Sequence, residues 1–380
     1  MTTKLLGACA VLLLAACSEG QSQHRTSGGI RSLADMGVSP AEPSCLGSFA
    51  GPVTLLDQDY GYSTTKIATW PDQARFDARG GRWTSLMNGY DADGNRANTA
   101  PVQLGLDWGT NVDGRGRRDL WSAEYDTPPQ EVPVCFSGGI ILGTQPVDAT
   151  WGETKRDGGG YAISINGKGA VVEAVRIHNH HDGFVPYRSD GFVLRDSWLS
   201  YIRDDCIEND GHAEGTVRGN LFDGCYVFYS GTNGIPNAPT GAGADGTLLI
   251  EGNLIRMQNM PGPYARRNPL GDRSASGYGE VFKTRGRDGR VPKLVIRNNV
   301  LAFEKPPEGR KLQTRFNGPH VEIVDCANNT ILWLGSGSFP GSLPDDWEEC
   351  FTIIGGSEAQ ERWDRLRMQW IDAHPDIPRL

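Results

Sequence analysis

Three carboxylates define the chemistry this chain can offer. Asp182 opens Asp182-Gly183-Phe184, and Asp204 and Asp205 follow it by 22 and 23 residues in Arg203-Asp204-Asp205-Cys206-Ile207. A third segment, Cys225-Tyr226-Val227-Phe228, puts Tyr226 21 residues beyond Asp205. Carboxylates that return at one phase of a repeat become neighbours once the repeat is stacked, and crowded carboxylates push one another's pKa values apart. One then holds a proton while another stays ionised, which is what general acid–base catalysis requires. Just beyond the pair stand Glu208 and Asp210. With Asp204 and Asp205 they would form an oxygen-rich site suited to calcium. His178, His180 and His181 form another cluster, in which alternating strand positions would put His178 and His180 on one face, open to a transition metal.

The elements that must position these groups are visible in a second pattern. The frame apolar-x-x-Asn-x-apolar fits Val217/Asn220/Phe222, Ile250/Asn253/Ile255 and Ile296/Asn299/Leu301, with weaker copies at Leu194/Ser197/Leu199, Val172/Val175/Ile177 and Cys326/Asn329/Ile331. Its middle positions fall at 175, 197, 220, 253, 299 and 329, so the first returns match those of the acids and the later ones are lengthened by insertions. Self-similarity at a fixed period marks a solenoid. Short β-rich runs ending in Asn or Gly, with no helical period between them, select strands over helices. Stacked coils also explain the column of amides, which hydrogen-bond up and down the stack. A β-sandwich has similar strand spacing but no reason to return Asn at one phase. The expected fold is all-β: a right-handed parallel β-helix with a short C-terminal helix.

Composition agrees with one elongated domain, since 50 Gly and 23 Pro among 380 residues supply many tight turns. The formal charge of −9 excludes general attraction to nucleic acid. Met1-Thr2-Thr3-Lys4 followed by the apolar run Leu5 to Ala16 reads as a secretory leader, too short to span a bilayer. Residues 17–41 are polar and aperiodic and read as a flexible tether. The β-helix is expected over 42–343 and a capping segment over 344–380. In that segment Ser357-Glu358-Ala359-Gln360 has the form of a capping box, and Trp363, Leu366, Trp370 and Ile371 make an apolar stripe expected to cover the final coil. Six cysteines follow Cys17. Cys45 with Cys135 is the pairing to test first, while Cys206, Cys225 and Cys326 lie in strand-like runs and read as buried apolar residues. An insertion from Pro261 to Pro292 carries seven basic residues, Lys283, Arg285 and Arg287 among them, against three acids. Such a segment in an acidic protein is suited to an anionic ligand.

Two family resemblances rest on these residues. Leu14-Ala15-Ala16-Cys17 resembles the lipobox of bacterial lipoproteins. It implies removal of residues 1–16, acylation of Cys17 and tethering to a membrane of the bacterial cell envelope, most naturally the outer membrane, with the protein facing the periplasm or the cell surface. Asp182-Gly183-Phe184 followed by Asp204-Asp205-Cys206-Ile207 resembles the Asn-Thr-Asp-Gly-Ile and Gly-Asp-Asp-Cys-Ile motifs of polygalacturonases, members of the pectin-lyase-like right-handed β-helix superfamily. The resemblance implies that Asp204 is the general acid and that Asp182 and Asp205 position and deprotonate the attacking water. The family's His-Gly motif falls on Tyr226-Val227, and its Arg-x-Lys motif finds Val281 and Lys283, so only the Lys is kept. The Asn-Thr before the first Asp is replaced by His180-His181.

The candidate catalytic residues are therefore Asp182, Asp204, Asp205, Tyr226 and Lys283, with His181, Arg203, Arg285 and Arg287 as candidate substrate contacts. A hydrolase of this kind needs no cofactor. A polysaccharide lyase would instead hold calcium on Asp204, Asp205, Glu208 and Asp210 and use Lys283, Arg285 or Tyr226 as base. The expected partner is an acidic polysaccharide, met by a monomer anchored through lipid. The non-enzyme alternative is a glycan-binding or scaffolding lipoprotein, since fold alone does not imply activity.

Overall fold

The computed structural model describes residues 29–37, 43–85, 101–105, 130–151, 154, 160–232, 243–261, 276–285, 291–306, 322–341, 343 and 345–380. The leader, Cys17, Arg287 and most of the basic insertion lie outside the described residues.

Successive segments of the chain stack as parallel strands and wind into a parallel β-helix. One sheet has nine strands in chain order, from Val53–Leu55 through Val171–Glu173, Phe192–Arg195 and Gly215–Arg218 to Ile323–Ala327. The next strand of each coil joins a second sheet, which runs through Arg176–His178, Trp198–Glu208, Leu221–Thr232 and Leu254–Met257 to Phe351–Gly355. A further parallel run, Thr65–Ile67, Val102–Leu104, Tyr161–Ile165 and Asp182–Pro186, joins the second sheet at Trp198–Glu208. The single antiparallel pairing among the described residues is Met260–Pro261 with Ser276–Gly277.

The repeat frame becomes two apolar columns and one amide column. Phe136, Val172, Leu194, Val217, Ile250 and Ile296 stand in register inside the first sheet. Ile141, Ile177, Leu199, Phe222, Ile255, Leu301 and Ile331 do so inside the second. At the bend between the sheets, six successive coils each place a residue of positive φ: Ala174, Asp196, Gly219, Gly252, Asn298 and Asn328. The next residue belongs to the expected column. Asn220 Nδ2 donates to Asn253 Oδ1, Asn253 Nδ2 to Asn299 Oδ1 and Asn299 Nδ2 to Asn329 Oδ1, each at 3.0 Å. Each of these acceptor oxygens also takes the backbone amide of the residue below it, so buried polar groups at the bend are met within the stack.

Several expectations are corrected. The β-helix does not end at 343, because Phe351–Gly355 adds another strand to Asn329–Trp333. The C-terminal helix, Ser357–Ala373, packs on the last coil at Leu332 and Ile354, but it is not confined to that coil. Its Trp363, Leu366, Trp370 and Ile371 pack across the outer face of the second sheet on Trp198, Leu221, Leu254, Val300 and Leu332, and so cover the side of several coils. Ser357 is the first helical residue rather than a cap; Gly356 holds the cap position without a side-chain bond. Residues 29–37 of the expected tether are docked rather than loose. Met36 is fully buried, Ile30 N donates to Thr330 Oγ1 at 3.1 Å, and Arg362 donates to the Ile30 carbonyl.

Cys45 and Cys135, the pairing to test first, are bridged. Cys206 and Cys225 are bridged as well, and so are Cys326 and Cys350. Cys206 and Cys225 are buried in the apolar core as expected, but the reading missed the bridges: coil stacking brings the paired Cα atoms to 5.9 Å and 5.5 Å, a proximity that a single strand does not reveal.

Candidate functional site

The acids sit where the second sheet bends a second time. On three consecutive coils a residue of positive φ marks that bend: Asn179, Tyr201 and Gly224. Beyond Tyr201 the register between Trp198–Glu208 and Leu221–Thr232 slips between Ile202 and Asp205. Arg203 and Asp204 occupy the slip, and such bulges re-aim side chains next to functional sites. Backbone bonds fix the bulge on the coil below, with Arg203 N on the His180 carbonyl and Asp204 N on the His181 carbonyl, both at 2.8 Å. Gly183 is demanded by the same contact, because a Cβ there would stand 2.6 Å from the Cys206 carbonyl oxygen.

This geometry gathers Asp182, Asp204 and Asp205. Asp205 N donates to Asp182 Oδ1 at 3.1 Å. His181 Nε2 lies 3.7 Å from Asp204 Oδ2. Lys283 enters from two coils away and puts Nζ 2.7 and 3.0 Å from the two oxygens of Asp205 and 4.0 Å from Asp204 Oδ1. Lys283 is not part of a loop, as its place in the insertion suggested. It lies in the strand Phe282–Arg285, paired with Leu221–Thr232. The register sets Glu208, Ser230 and Lys283 in one row across three coils. All three Asp carboxyls are buried, as is His181, while the Lys283 side chain keeps 23% of its surface exposed.

Burial and crowding displace the titrations. Burial, with Glu208, Asp204 and Asp205 nearby, raises Asp182 well above the usual carboxylate range. Burial also pushes Asp205 up to about 7, with the Lys283 ammonium pulling against it. Glu208 rises to about 8 by burial and by the charges of Asp210 and Asp205. Burial favours the neutral form of Lys283, but Asp205 and Asp204 outweigh it and hold the ammonium above its ordinary value. The cluster thus contains carboxyls that keep protons near neutrality beside an amine that does not lose its own.

The remaining expected site residues divide. Tyr226 lies on the next coil beside the bulge, between Cys225, which pairs with Ile202, and Val227, which pairs with Asp205. Arg203 is put to a different use from the expected substrate contact. Its guanidinium is buried, donates to the carbonyls of Pro146 and Ala149, and lies 4.9 Å over the Tyr201 ring. Arg285 is placed on the strand by its backbone alone. His178 and His180 do not share a face, because the strand Arg176–His178 ends at Asn179, whose φ of 53° breaks the alternation. His178 Nδ1 bonds Ser200 Oγ and His180 Nδ1 the Asp182 carbonyl. For a metal, the cluster formed around the acids among the described residues is His181, Asp182 and Asp204, with ligand atoms within 4.8 Å of one another. Asp205, which the calcium expectation included, is engaged by Lys283.

The sequence did not single out Ser230, although 22 residues separate it from Glu208, the interval of the coils. It also missed the bridge between Cys206 and Cys225, the residues that follow Asp205 and precede Tyr226. No family model, curated protein or solved structure matches the chain.

Proposed function

We propose that this chain is a polysaccharide-active β-helix of the pectin-lyase-like type that cleaves an acidic, uronate-containing glycan, and that it does so by hydrolysis. One arrangement carries the reading: carboxyls from adjacent coils crowd at a bulge with a lysine closed onto one of them. Asp205, held by Lys283, is the group placed to orient water. Asp204, between His181 and Lys283, takes the acid role that the polygalacturonase resemblance implies, and Asp182, buried beside it, adds a second carboxyl that can keep a proton. Elimination is less well supported, because its base must give up a proton near neutrality and Lys283 is held as the ammonium.

The anchor belongs to the same reading. Leu14-Ala15-Ala16-Cys17 supports attachment by acyl chains to the bacterial envelope. Cys17→Ser should release the protein from membranes or leave its precursor uncleaved, and unchanged partition with unchanged processing would count against it.

The test of activity is a panel of polyuronates with products read by reducing ends and by ultraviolet absorbance, since only elimination leaves an absorbing unsaturated end. Hydrolysis predicts reducing ends without absorbance. Asp204→Asn should lower kcat by about 10²–10⁴-fold, the usual contribution of a general acid, with KM little changed. Binding without cleavage by the wild-type protein would replace the reading with that of a glycan-binding module. Neither binding nor cleavage would remove it.

A further inference from the structure

We infer that the bend between the two sheets carries a binding site for a small organic cation, a primary amine on an apolar body. A cavity of about 630 Å³ opens there, apart from the acids at the second bend. Three stretches distant in sequence line it: the bend itself at Ala174 and Asp196, the N-terminal residues Leu33 and Leu46, and the tail 373–378 that follows the C-terminal helix. Small-molecule sites have volumes of about 300–1,000 Å³ and pair an apolar lining with a few placed polar groups. Leu33, Leu46, Ala174 and Ile377 supply the apolar part here.

The polar part is set by His374 and Asp196, both on the wall of the cavity. Trp370 fixes the imidazole: the two rings stack at 3.9 Å and 17°, and His374 Nδ1 bonds the Trp370 carbonyl at 2.7 Å. A carbonyl only accepts, so Nδ1 carries the proton and Nε2 of the neutral ring is an acceptor. Nε2 lies 3.6 Å from Asp196 Oδ1, too far for a hydrogen bond. Two acceptors thus face each other, and the group that satisfies both is a donor set between them. An ammonium has three donors and no acceptor, and its charge is complementary to the carboxylate. The other charges of the lining leave the same sign in surplus. Arg79 is taken up by Asp77 at 2.8 and 2.6 Å, and Glu173 by Arg195 at 2.6 Å. Asp376 then adds a carboxylate to that of Asp196.

The experiment is calorimetric titration of the full chain with hexylamine, and with hexanol and hexanoate, which keep the body and lack the ammonium. An imidazolium would fill the gap from within, so the titration is run at pH 8, above the ordinary range of histidine. One saturable site for hexylamine is expected, with both other probes at least about 10-fold weaker. Asp196→Asn should weaken hexylamine by about 10–100-fold, the range for a hydrogen bond to a charged group. Asn tolerates the φ of 48° that this position adopts, so the variant keeps the bend. Leu46→Trp, which fills the apolar end, should abolish binding while leaving Asp196 and His374 in place. The inference is overturned if hexylamine shows no saturable binding. It is also overturned if hexanol binds as tightly as hexylamine, which would mean an apolar cavity without a cation site, or if Asp196→Asn binds hexylamine unchanged. Neither glycan cleavage nor the lipid anchor enters the test, so its failure and that of the hydrolase reading are separate results.

Discussion

Lys283 Nζ lies 2.7 Å from Asp205 Oδ2, although the two residues are 78 positions apart in the chain. The contact joins a bulge on one coil to a strand two coils away, so it can form only after the coils between them have stacked. Asp205 is 2% exposed, and a buried carboxylate without its counter-ion is costly. Lys283→Met should therefore destabilise the protein by about 3–5 kcal/mol where Asp205 is ionised. The loss should shrink toward pH 5, where the cluster's carboxyls hold protons and need no partner. Urea unfolding at pH 5 and pH 8 reads both values. Equal losses at the two pH values would mean that Lys283 acts through packing.

Stability should fall as pH rises from 6.5 to 8. Asp205 is raised to about 7 from 3.8 and Glu208 to about 8 from 4.5, so in this window the folded state binds more protons than the unfolded one. Excess protons on the folded state mean that stability declines with pH, by about 1.4 kcal/mol per pH step of one for each proton held in excess. Below 6.5 the trend is opposed, because burial lowers His180 to about 3 and also lowers His178, and both give stability that grows with pH up to 6.5. Thermal unfolding in chelator-containing buffer tests the sign. Glu208→Gln should flatten the slope, and a melting temperature that climbs from pH 6.5 to 8 would reverse the assignment.

The parts of the fold legible in the sequence are those where the coil period is intact. Asn220, Asn253, Asn299 and Asn329 fall in one column because each sits at the same phase between two apolar residues. The insertions lengthen the chain without moving that phase. Asp182, Asp204 and Asp205 are legible for the same reason. Lys283 is harder, because the insertion that carries it hides the strand pairing that brings it back beside Ser230. Local geometry defeats the other readings. Positive φ at Asn179 separates His178 from His180, a bulge turns Arg203 onto carbonyls, and cysteines in one strand do not announce partners in the next. The C-terminal stripe is plainly apolar in the sequence, but amphipathicity names a buried face without saying what buries it.

Asn253 is the strongest test of the amide column. It accepts from Asn220 N and Nδ2 and donates to the Val217 carbonyl and to Asn299 Oδ1. Asn253→Ala leaves several fully buried groups unmet, at about 1–3 kcal/mol each. A loss of several kcal/mol in urea unfolding, with secondary structure retained by circular dichroism, is the expected result. A loss below about 1 kcal/mol would show that water or backbone shifts replace the ladder.

The Cys206–Cys225 bridge should matter more to activity than to stability. It spans 19 positions, whereas Cys45–Cys135 spans 90. Loop-closure entropy then assigns about 3 kcal/mol to the first bridge and about 4–5 kcal/mol to the second. Position reverses that order for function. Cys206 follows Asp205 and Cys225 precedes Tyr226, so the bridge pins the bulge that aims the acids to the coil beside it. The double variant Cys206→Ala/Cys225→Ala should lose more activity on the cleaved polyuronate than Cys45→Ala/Cys135→Ala, while losing less in melting temperature. Both proteins are compared at a temperature where each is fully folded. If activity and melting temperature fall in the same order, the bridge near the acids is a staple like the other one, and the bulge is positioned by its backbone bonds to His180 and His181 alone.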